Sequence, residues 1–493
     1  MLDNPYRFLE QQAADNPDGI AMIDGATEGT EITFKQLLDA TDCLAAKLAN
    51  LGFGVGSAVA LQMEKKWAWI FTLALWRLGA TSIGASSMGM NFAAFGATHL
   101  ITKNQETEFD GVLVKIDQEW LDGAMSGDRY GKVESFGSQN PYPIIALTSG
   151  TTGKPKQVPI TVQMLITRAE RAAARNLTDN PVIFLIGGAS HFGQLLQLIC
   201  LMRGWPNCVF MPMPESMKGL PRAFERFGAD TLAGAPGQIK AALAVVGNSL
   251  RSSKSLKRLY MGGGTIPEDL RDVAINFYRW QIFTSFASTE VGTSTAWELR
   301  LGDDTRNLGK PVPEAQIEIV DEQDVAVAPG DVGRIRIKTD VMAPGYLNNP
   351  EATAKAFQNG WFYPGDRGRF LDSGDLYYEG REGEAINIAG LKVDPSVIDD
   401  HVLTHPKVRD AATFGIEAQG ELRYLACAVV LSELVNMKEL LQFTRREFGE
   451  RTPLIFFTVD SIPRNEMGKI KRVELTKDYS ADLMKMLRDS FKK

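Results

Sequence analysis

Cysteine and histidine are both scarce: 493 residues carry four of each. Cys43, Cys200, Cys208 and Cys427 share no repeated spacing. That argues against a disulfide framework or a zinc site, and fits a reducing, cytoplasmic compartment. Positive charge is not in excess either. Lys and Arg number 53 against 60 Asp and Glu, for a formal net charge of −7. A nucleic-acid binder would show a basic stripe instead. Long apolar runs are missing. Trp67 to Trp76 is too short for a bilayer and is bracketed by Lys65, Lys66 and Arg77. Val182 to Met202 is broken by Gly187, Gly188, His191, Gln194 and Gln197. Neither reads as a membrane span. The opening MLDNPYRFLEQQ has no basic region followed by an apolar stretch, so no signal peptide is expected. Repeats and low-complexity tracts are also lacking.

What remains is an ordinary globular composition, 44% hydrophobic and 23% charged, in a chain too long for one core. Helical and strand patterns alternate. Phe34 to Leu51 has helical spacing and ends at Gly52, Ser57 to Gln62 reads as a strand, and Trp67 to Leu78 as a second helix. Short strands are expected at Val182–Ile186, Cys208–Met211, Thr231–Ala233, Leu259–Met261 and Gln281–Thr284. This is the rhythm of a mostly parallel sheet covered on both faces. Between Gln316 and Lys338 strict alternation predicts a small β unit. From Asp394 on, helices at Pro395–Leu403 and Met437–Phe448 and strands at Ala411–Phe414, Tyr424–Leu431 and Phe456–Val459 predict a compact α+β unit, followed by a polar tail. The Gly- and charge-rich Tyr377–Ala385 marks a boundary.

Chemistry concentrates first in ALTSGTTGKPKQV, Ala146 to Val158, which follows an apolar strand pattern. Thr148, Ser149, Thr151 and Thr152 offer hydroxyls. Gly150 and Gly153 let the backbone curl, and Lys154 and Lys156 add charge. Such a turn suits phosphate. It is not a Walker loop: Gly150 and Gly153 are too close, and Pro155 follows Lys154 where Ser or Thr should stand. Four further stretches stand out. FTSFASTE ends in Thr289-Glu290, and GGGTIP starts at Gly262. WFYPGDRGRF holds Asp366, whose partner is Arg381 in EGREG, and PRNEMGKIKR presents Lys469 on a glycine turn.

TSGTTGKPK, FASTE, LGKPVP, VGRIRIK, PGYLNNPEATAKAF, GWFYPGD, EGREGEAINIAGLKV and PRNEMGKIKR occur in this order along nearly the whole chain. Together they resemble the adenylate-forming superfamily: acyl- and aryl-CoA synthetases, peptide-synthetase adenylation domains and beetle luciferases. The resemblance implies a large α/β N-terminal domain of parallel and mixed sheets with covering helices and a small β unit, over residues 1–380. A hinge at 381–384 and a small mobile α+β C-terminal domain over 385–493 would follow. It implies ATP, Mg²⁺ and coenzyme A as cofactors. A carboxylate would attack the α-phosphate of ATP to give an acyl-adenylate and pyrophosphate, and a thiol would then displace AMP. The 148–156 loop would hold the departing phosphates, and Glu290, beside Thr289, would bind Mg²⁺. Phe286 would stack on adenine, with Gly263 and Gly264 lining it. Asp366, reinforced by Arg381, would hold the ribose. Lys469 would be the catalytic lysine, and the Gly390 loop would reach the thiol channel after domain rotation.

The acid pocket is expected around His191, Phe192, Gly262, Ala287 and Ser288. No Asp near SHFGQ stands ready to grip an ammonium, so amino acids are disfavoured against aryl or medium-chain acids. The chain departs from the family pattern at Gly383, where Asp or Lys is usual, at Asn387, where lysine is frequent, and at Gln157, where glycine is frequent. The Ser82–Thr98 segment looks shortened. These departures touch the second half-reaction more than the first. The acceptor is therefore coenzyme A or, as the alternative, a carrier-protein thiol or an amine. A homodimer is compatible with the chain.

Overall fold

The computed structural model describes residues 4–24, 31–83, 92–126, 141–148, 156–176, 179–185, 191–210, 214–382, 386–388, 391–393, 395–418, 421–449, 452–464 and 470–490. Two α/β sheets dominate its first part. One has nine strands. Its centre is parallel and runs, in spatial order, Arg258–Gly262, Thr231–Gly234, Val182–Leu185, Asn207–Phe210 and Ile20–Asp24. Gln281–Ser285 extends it in parallel, and antiparallel strands close both edges. The second sheet has six strands, parallel except for its last pair, Ile144–Thr148 with Lys156–Ile160. Parallel strands are buried on both faces, which is why their sequences read as short apolar runs and not as alternation.

The helices begin and end where local chemistry requires. Thr33 caps Phe34–Asn50: its Oγ1 accepts from the Gln36 N–H at 3.2 Å, while the Gln36 side chain accepts from the Thr33 N–H at 2.9 Å. This helix buries Leu37, Leu44 and Leu48 on one stripe. The expected second helix is present as Lys65–Arg77. The alternating segment forms the antiparallel pair Ala315–Val320 and Gly333–Thr339, within a separate six-stranded antiparallel sheet that ends at Leu376–Arg381.

The last part is built on the three-stranded sheet Val408–Ala418, Glu421–Leu431 and Ile455–Thr458. Alternate residues of the central strand serve two cores. Leu425, Cys427 and Val429 pack with Ile398, Val402 and Leu440, while Ala426, Ala428 and Val430 pack with Phe414, Leu475 and Leu483. The second core corrects one expectation. The polar tail is the 19-residue helix Arg472–Ser490, which closes that face through Leu475 and Leu483. Those two leucines and Tyr479, at four-residue spacing, carried a helical stripe that the many charges between them hid.

All four cysteines are free and buried. Among the described residues no helix is long and apolar enough to cross a membrane, and no group of side chains could hold a metal by itself.

An ion pair ties the terminal helix to the rest of its unit. Arg472 Nη2 stands 2.7 Å from Asp399 Oδ2, and Arg472 Nη1 donates to the Thr413 carbonyl at 2.9 Å. Asp399 is 3% exposed. Burial pushes its pKa up to about 6 against the pull of Arg472. Asp399→Ala would remove the buried carboxylate that faces the largely buried guanidinium. It is expected to destabilise this unit by about 3–5 kcal/mol, read as an early transition in urea unfolding followed through the C-terminal sheet.

Candidate functional site

The site lies beyond the carboxyl ends of the parallel strands Arg258–Gly262 and Gln281–Ser285, where α/β sheets present loops rather than side-chain-filled core. The first strand runs into Gly262-Gly263-Gly264. Gly263 has φ of +85°, which glycine adopts without strain, and a Cβ at Gly262 or Gly264 would meet nothing within 4 Å. The backbone here therefore borders open space. Beside it, Tyr260 Oη lies 3.2 Å from Ser285 Oγ, and its ring centroid is 5.7 Å from that of Phe192.

The second strand leads to Phe286, which is held by its own backbone. Its carbonyl accepts from the N–H groups of Ser294 at 2.8 Å and Thr295 at 3.2 Å. Ala287 and Ser288 then pair with Gly292 and Thr293 in a short antiparallel ladder, so Thr289 and Glu290 occupy the turn between them. Ala287 is exposed. Ser288 Oγ is buried without a hydrogen-bond partner.

Glu290 is 7% exposed. Its Oε1 accepts from Tyr346 Oη at 2.7 Å, which leaves the second carboxylate oxygen for another ligand. Burial and then the Glu290 charge push the Tyr346 hydroxyl well above its ordinary pKa, so it stays a donor. The Lys156 ammonium sits 4.6 Å from the centre of the Tyr346 ring. Burial lowers the Lys156 pKa, Glu290 opposes that shift, and Arg381 adds to it. Lys156, Tyr346, Glu290 and Arg381 thus form one electrostatic neighbourhood drawn from four separate segments.

Asp366 and Arg381 stand opposite each other on neighbouring antiparallel strands. Asp366 is 8% exposed, and its Oδ1 is 3.7 Å from Arg381 Nε. Arg381 also donates from Nη2 to the Pro364 carbonyl at 3.3 Å, while its Nε is buried with no hydrogen bond. Next in the chain, the Glu382 N–H donates to the Gly365 carbonyl at 2.7 Å.

Of the loop expected to hold phosphate, Thr148 and Lys156 are paired across the strand ladder, so the connection leaves and returns at adjacent positions. Ser149, Gly150, Thr151, Thr152, Gly153 and Lys154 lie outside the described residues, as do Gly383, Gly390 and Lys469. Residues 84–91 of the shortened-looking segment do too.

Two residues that sequence reasoning passed over hold the site together. Tyr346 stood in PGYLNNPEATAKAF without a role. Arg168 stood unremarked on the helix Val162–Asn176. It is 4% exposed, and burial lowers its pKa to about 10. It donates from Nη1 to the Thr289 carbonyl at 2.9 Å, and from Nη2 to the carbonyls of Glu290 at 3.2 Å and Val341 at 2.6 Å. Its signal was available: it falls on the buried stripe with Met164, Leu165, Ala169 and Ala172, where an unpaired cation would be costly. His191 opens the helix His191–Arg203, with its Nε2 3.2 Å from Arg168 Nη1.

The donor set suits a phosphorylated nucleotide with a divalent cation. It offers one buried carboxylate with a free oxygen, cations on two sides, a second buried carboxylate for sugar hydroxyls, and a glycine-walled opening. A hard cation needs few protein oxygens when phosphate supplies the rest.

Comparison with known proteins bears on this arrangement. A family model described as AMP-binding enzyme matches residues 9–347. The chain is 28% identical to a 2-succinylbenzoate–CoA ligase of Geobacillus sp. (strain WCH70), covering 95% of this chain and 96% of that protein. It is 25% identical to the ligase of the same description from Bacillus velezensis, covering 98% of this chain and 100% of that protein. Among solved structures, o-succinylbenzoate coenzyme A synthetase from Bacillus subtilis, in complex with AMP, superposes with a TM-score of 0.80 at 22% identity, over 95% of this chain and 97% of that one. At that identity the likeness speaks for the fold.

Tyr346→Phe would remove the hydroxyl that satisfies Glu290 and leave a buried carboxylate oxygen without its donor. A loss of about 1–3 kcal/mol is expected in chemical denaturation, with the ring contacts to Lys156 and Phe357 retained.

Proposed function

Because the chain belongs to the AMP-binding enzyme family, we propose that it is an AMP-forming acid–thiol ligase. It activates a carboxylic acid with ATP to an acyl-adenylate, releasing pyrophosphate, and passes the acyl group to coenzyme A. The observation that carries this reading is the buried Glu290, oriented by Tyr346 and flanked by Lys156, at the end of the parallel strands. The relatives named 2-succinylbenzoate–CoA ligase, matched along their full length, favour an aryl acid among the acids a pocket beside His191 and Phe192 could take. The charge and cysteine usage fit a cytoplasmic enzyme.

Each residue acts on charge. Glu290 and the phosphates would share Mg²⁺, which supplies Lewis-acid stabilisation of the phosphoryl oxygens when bound. Tyr346 fixes the carboxylate rotamer, so less freedom is lost on binding. Lys156, held over an aromatic ring, would face the leaving pyrophosphate as a cation. Asp366 would accept from the ribose hydroxyls, with Arg381 beside it. Phe286, anchored by two backbone bonds, would offer a flat face to adenine. Thr148 to Lys154 would wrap the phosphates that must depart. Gly262, Ala287 and Ser288 would border the acid.

Lys469 would place an ammonium against the negative charge that builds as the acid oxygen attacks the α-phosphate. Acting in the transition state alone, it raises rate and not merely affinity. A domain alternation about residues 381–384 is supported by the division of cores. Leu376 belongs to the large core, and Ile386 to the core of the last unit. After adenylation, rotation would withdraw Lys469 and bring the Gly390 loop to the thiol.

The test is pyrophosphate release from ATP and Mg²⁺ across fatty, aryl and amino acids, with and without coenzyme A. Release stimulated by coenzyme A, with AMP and a thioester as products, is expected with an aryl acid. Release that coenzyme A does not accelerate would move the acceptor to a carrier protein or an amine, and no release with any acid would overturn the activity.

Lys469→Ala is expected to slow adenylate formation by roughly 10²–10³, by analogy with loss of one oxyanion donor, while sparing thioester formation from supplied acyl-adenylate. Equal loss in both half-reactions would remove Lys469 from its proposed role.

A further inference from the structure

We propose that Arg168 is a positioning residue that locks His191 as its Nδ1–H tautomer. The acid pocket then meets a hydrogen-bond donor aimed at an oxygen of the carboxylic acid, held in register with Glu290 by the same guanidinium. The inference rests on the acid pocket of the proposed function for its second half and on geometry alone for its first.

A guanidinium has five N–H donors and no acceptor. Arg168 Nη1 is 3.2 Å from His191 Nε2, so that ring nitrogen must be the acceptor. A protonated imidazole has none to offer, so the ring is neutral and its single proton is on Nδ1. Burial, then the Arg168 charge, holds the His191 pKa down to about 3, in agreement with that geometry. The proton-bearing Nδ1 is out of solvent and has no hydrogen-bond partner among the described residues. A buried donor without a partner is a cost that a bound acceptor removes. His191 is followed by Phe192, whose ring lies against Tyr260 at the strand end that opens onto the glycine turn. An oxygen of the acid is the acceptor that this chemistry calls for. It also excludes His191 as a general base through Nε2, because that lone pair is already engaged.

The other Arg168 contacts couple this donor to the metal side of the site. The same Nη1 reaches the Thr289 carbonyl, and Nη2 reaches those of Glu290 and Val341. Ala343 adds a backbone N–H to the Glu290 carbonyl at 2.7 Å. Gly292 leaves room for the arginine. Its φ is +75°, and a Cβ there would sit 3.2 Å from Arg168 Nε. One rigid planar group thus spans the helix start at His191 and the turn at Glu290.

Four histidines in the full chain make the tautomer readable by long-range ¹H–¹⁵N NMR of ¹⁵N-histidine-labelled protein, with His191 assigned by the signals lost in H191Q. At neutral pH, wild-type His191 is expected to show a protonated Nδ1 and an unprotonated Nε2. Arg168→Met should redistribute the proton toward Nε2, and Arg168→Lys, which keeps a cationic donor, should restore the Nδ1–H form. Saturating acid should shift the Nδ1 signal. In kinetics, H191F is expected to raise KM for the acid about tenfold with KM for ATP within about twofold, R168M to raise both, and the double variant should have a KM for the acid little above that of R168M. An Nε2–H tautomer in the wild type, or one that R168M leaves unchanged, would overturn the proposal. So would an Nδ1 signal indifferent to an acid the enzyme turns over. Should R168M fail to fold, R168K and H191F carry the same comparison. Failure of every acid to release pyrophosphate would sink the activity while leaving the tautomer result standing.

Discussion

A guanidinium almost wholly out of water needs acceptors, and the Nη1 and Nη2 groups of Arg168 find them in the carbonyls of Thr289, Glu290 and Val341 and in His191 Nε2, while its Nε has none. Much of the site's geometry depends on this requirement. The turn that bears Glu290 lies between strands of only two residues each, too short to hold a shape through ladder bonds. The carbonyls of that turn point at a charge, and hydrogen bonds to charged donors are about twice as strong as neutral ones. Glycine at position 292 and the loss of solvent around the arginine follow from the same demand.

The two α/β sheets and the antiparallel sheet meet at this arrangement. Arg168 comes from the helix after the strand Lys156–Ile160, Glu290 from the two-stranded ladder that follows the nine-stranded sheet's strand Gln281–Ser285, and Val341 and Tyr346 from the chain just beyond the antiparallel sheet's strand Gly333–Thr339. Lys156 starts the edge strand of the six-stranded sheet and reaches Tyr346. No one segment makes a site. Each supplies one charge or one ring, and packing within a shared core sets the distances. A ligand that has to be bound, reacted and released benefits from such a site, since the parts that grip phosphate need not be those that hold the frame.

Much of this was legible in the sequence. Strands buried on both faces announce themselves as short apolar runs, and Val182–Leu185, Arg258–Gly262 and Gln281–Ser285 fell within a residue or two of expectation. Glu290, Asp366 and Lys156 were legible because their motifs join a residue type to a turn. Arg168 and Tyr346 were not, since their roles arise from partners more than a hundred and more than fifty residues away along the chain. Helical spacing shows that Arg168 faces inward but says nothing of which carbonyls await it. The helix Arg472–Ser490 was missed for the opposite reason. It needs only a few apolar residues, because the sheet it covers already has small alanines on that face.

The arrangement of that last unit bears on how a second half-reaction could share the first one's site. A sheet with helices on one face only would have to dock its bare face permanently on a larger body. Here Ile398 and Leu440 cover one face, and Leu475 and Leu483 the other. Each face is closed by the unit's own chain, so its stability does not require burial against the large core. The domain alternation proposed above needs a unit that keeps its own core wherever it docks, and the two-faced core of the C-terminal sheet meets that need.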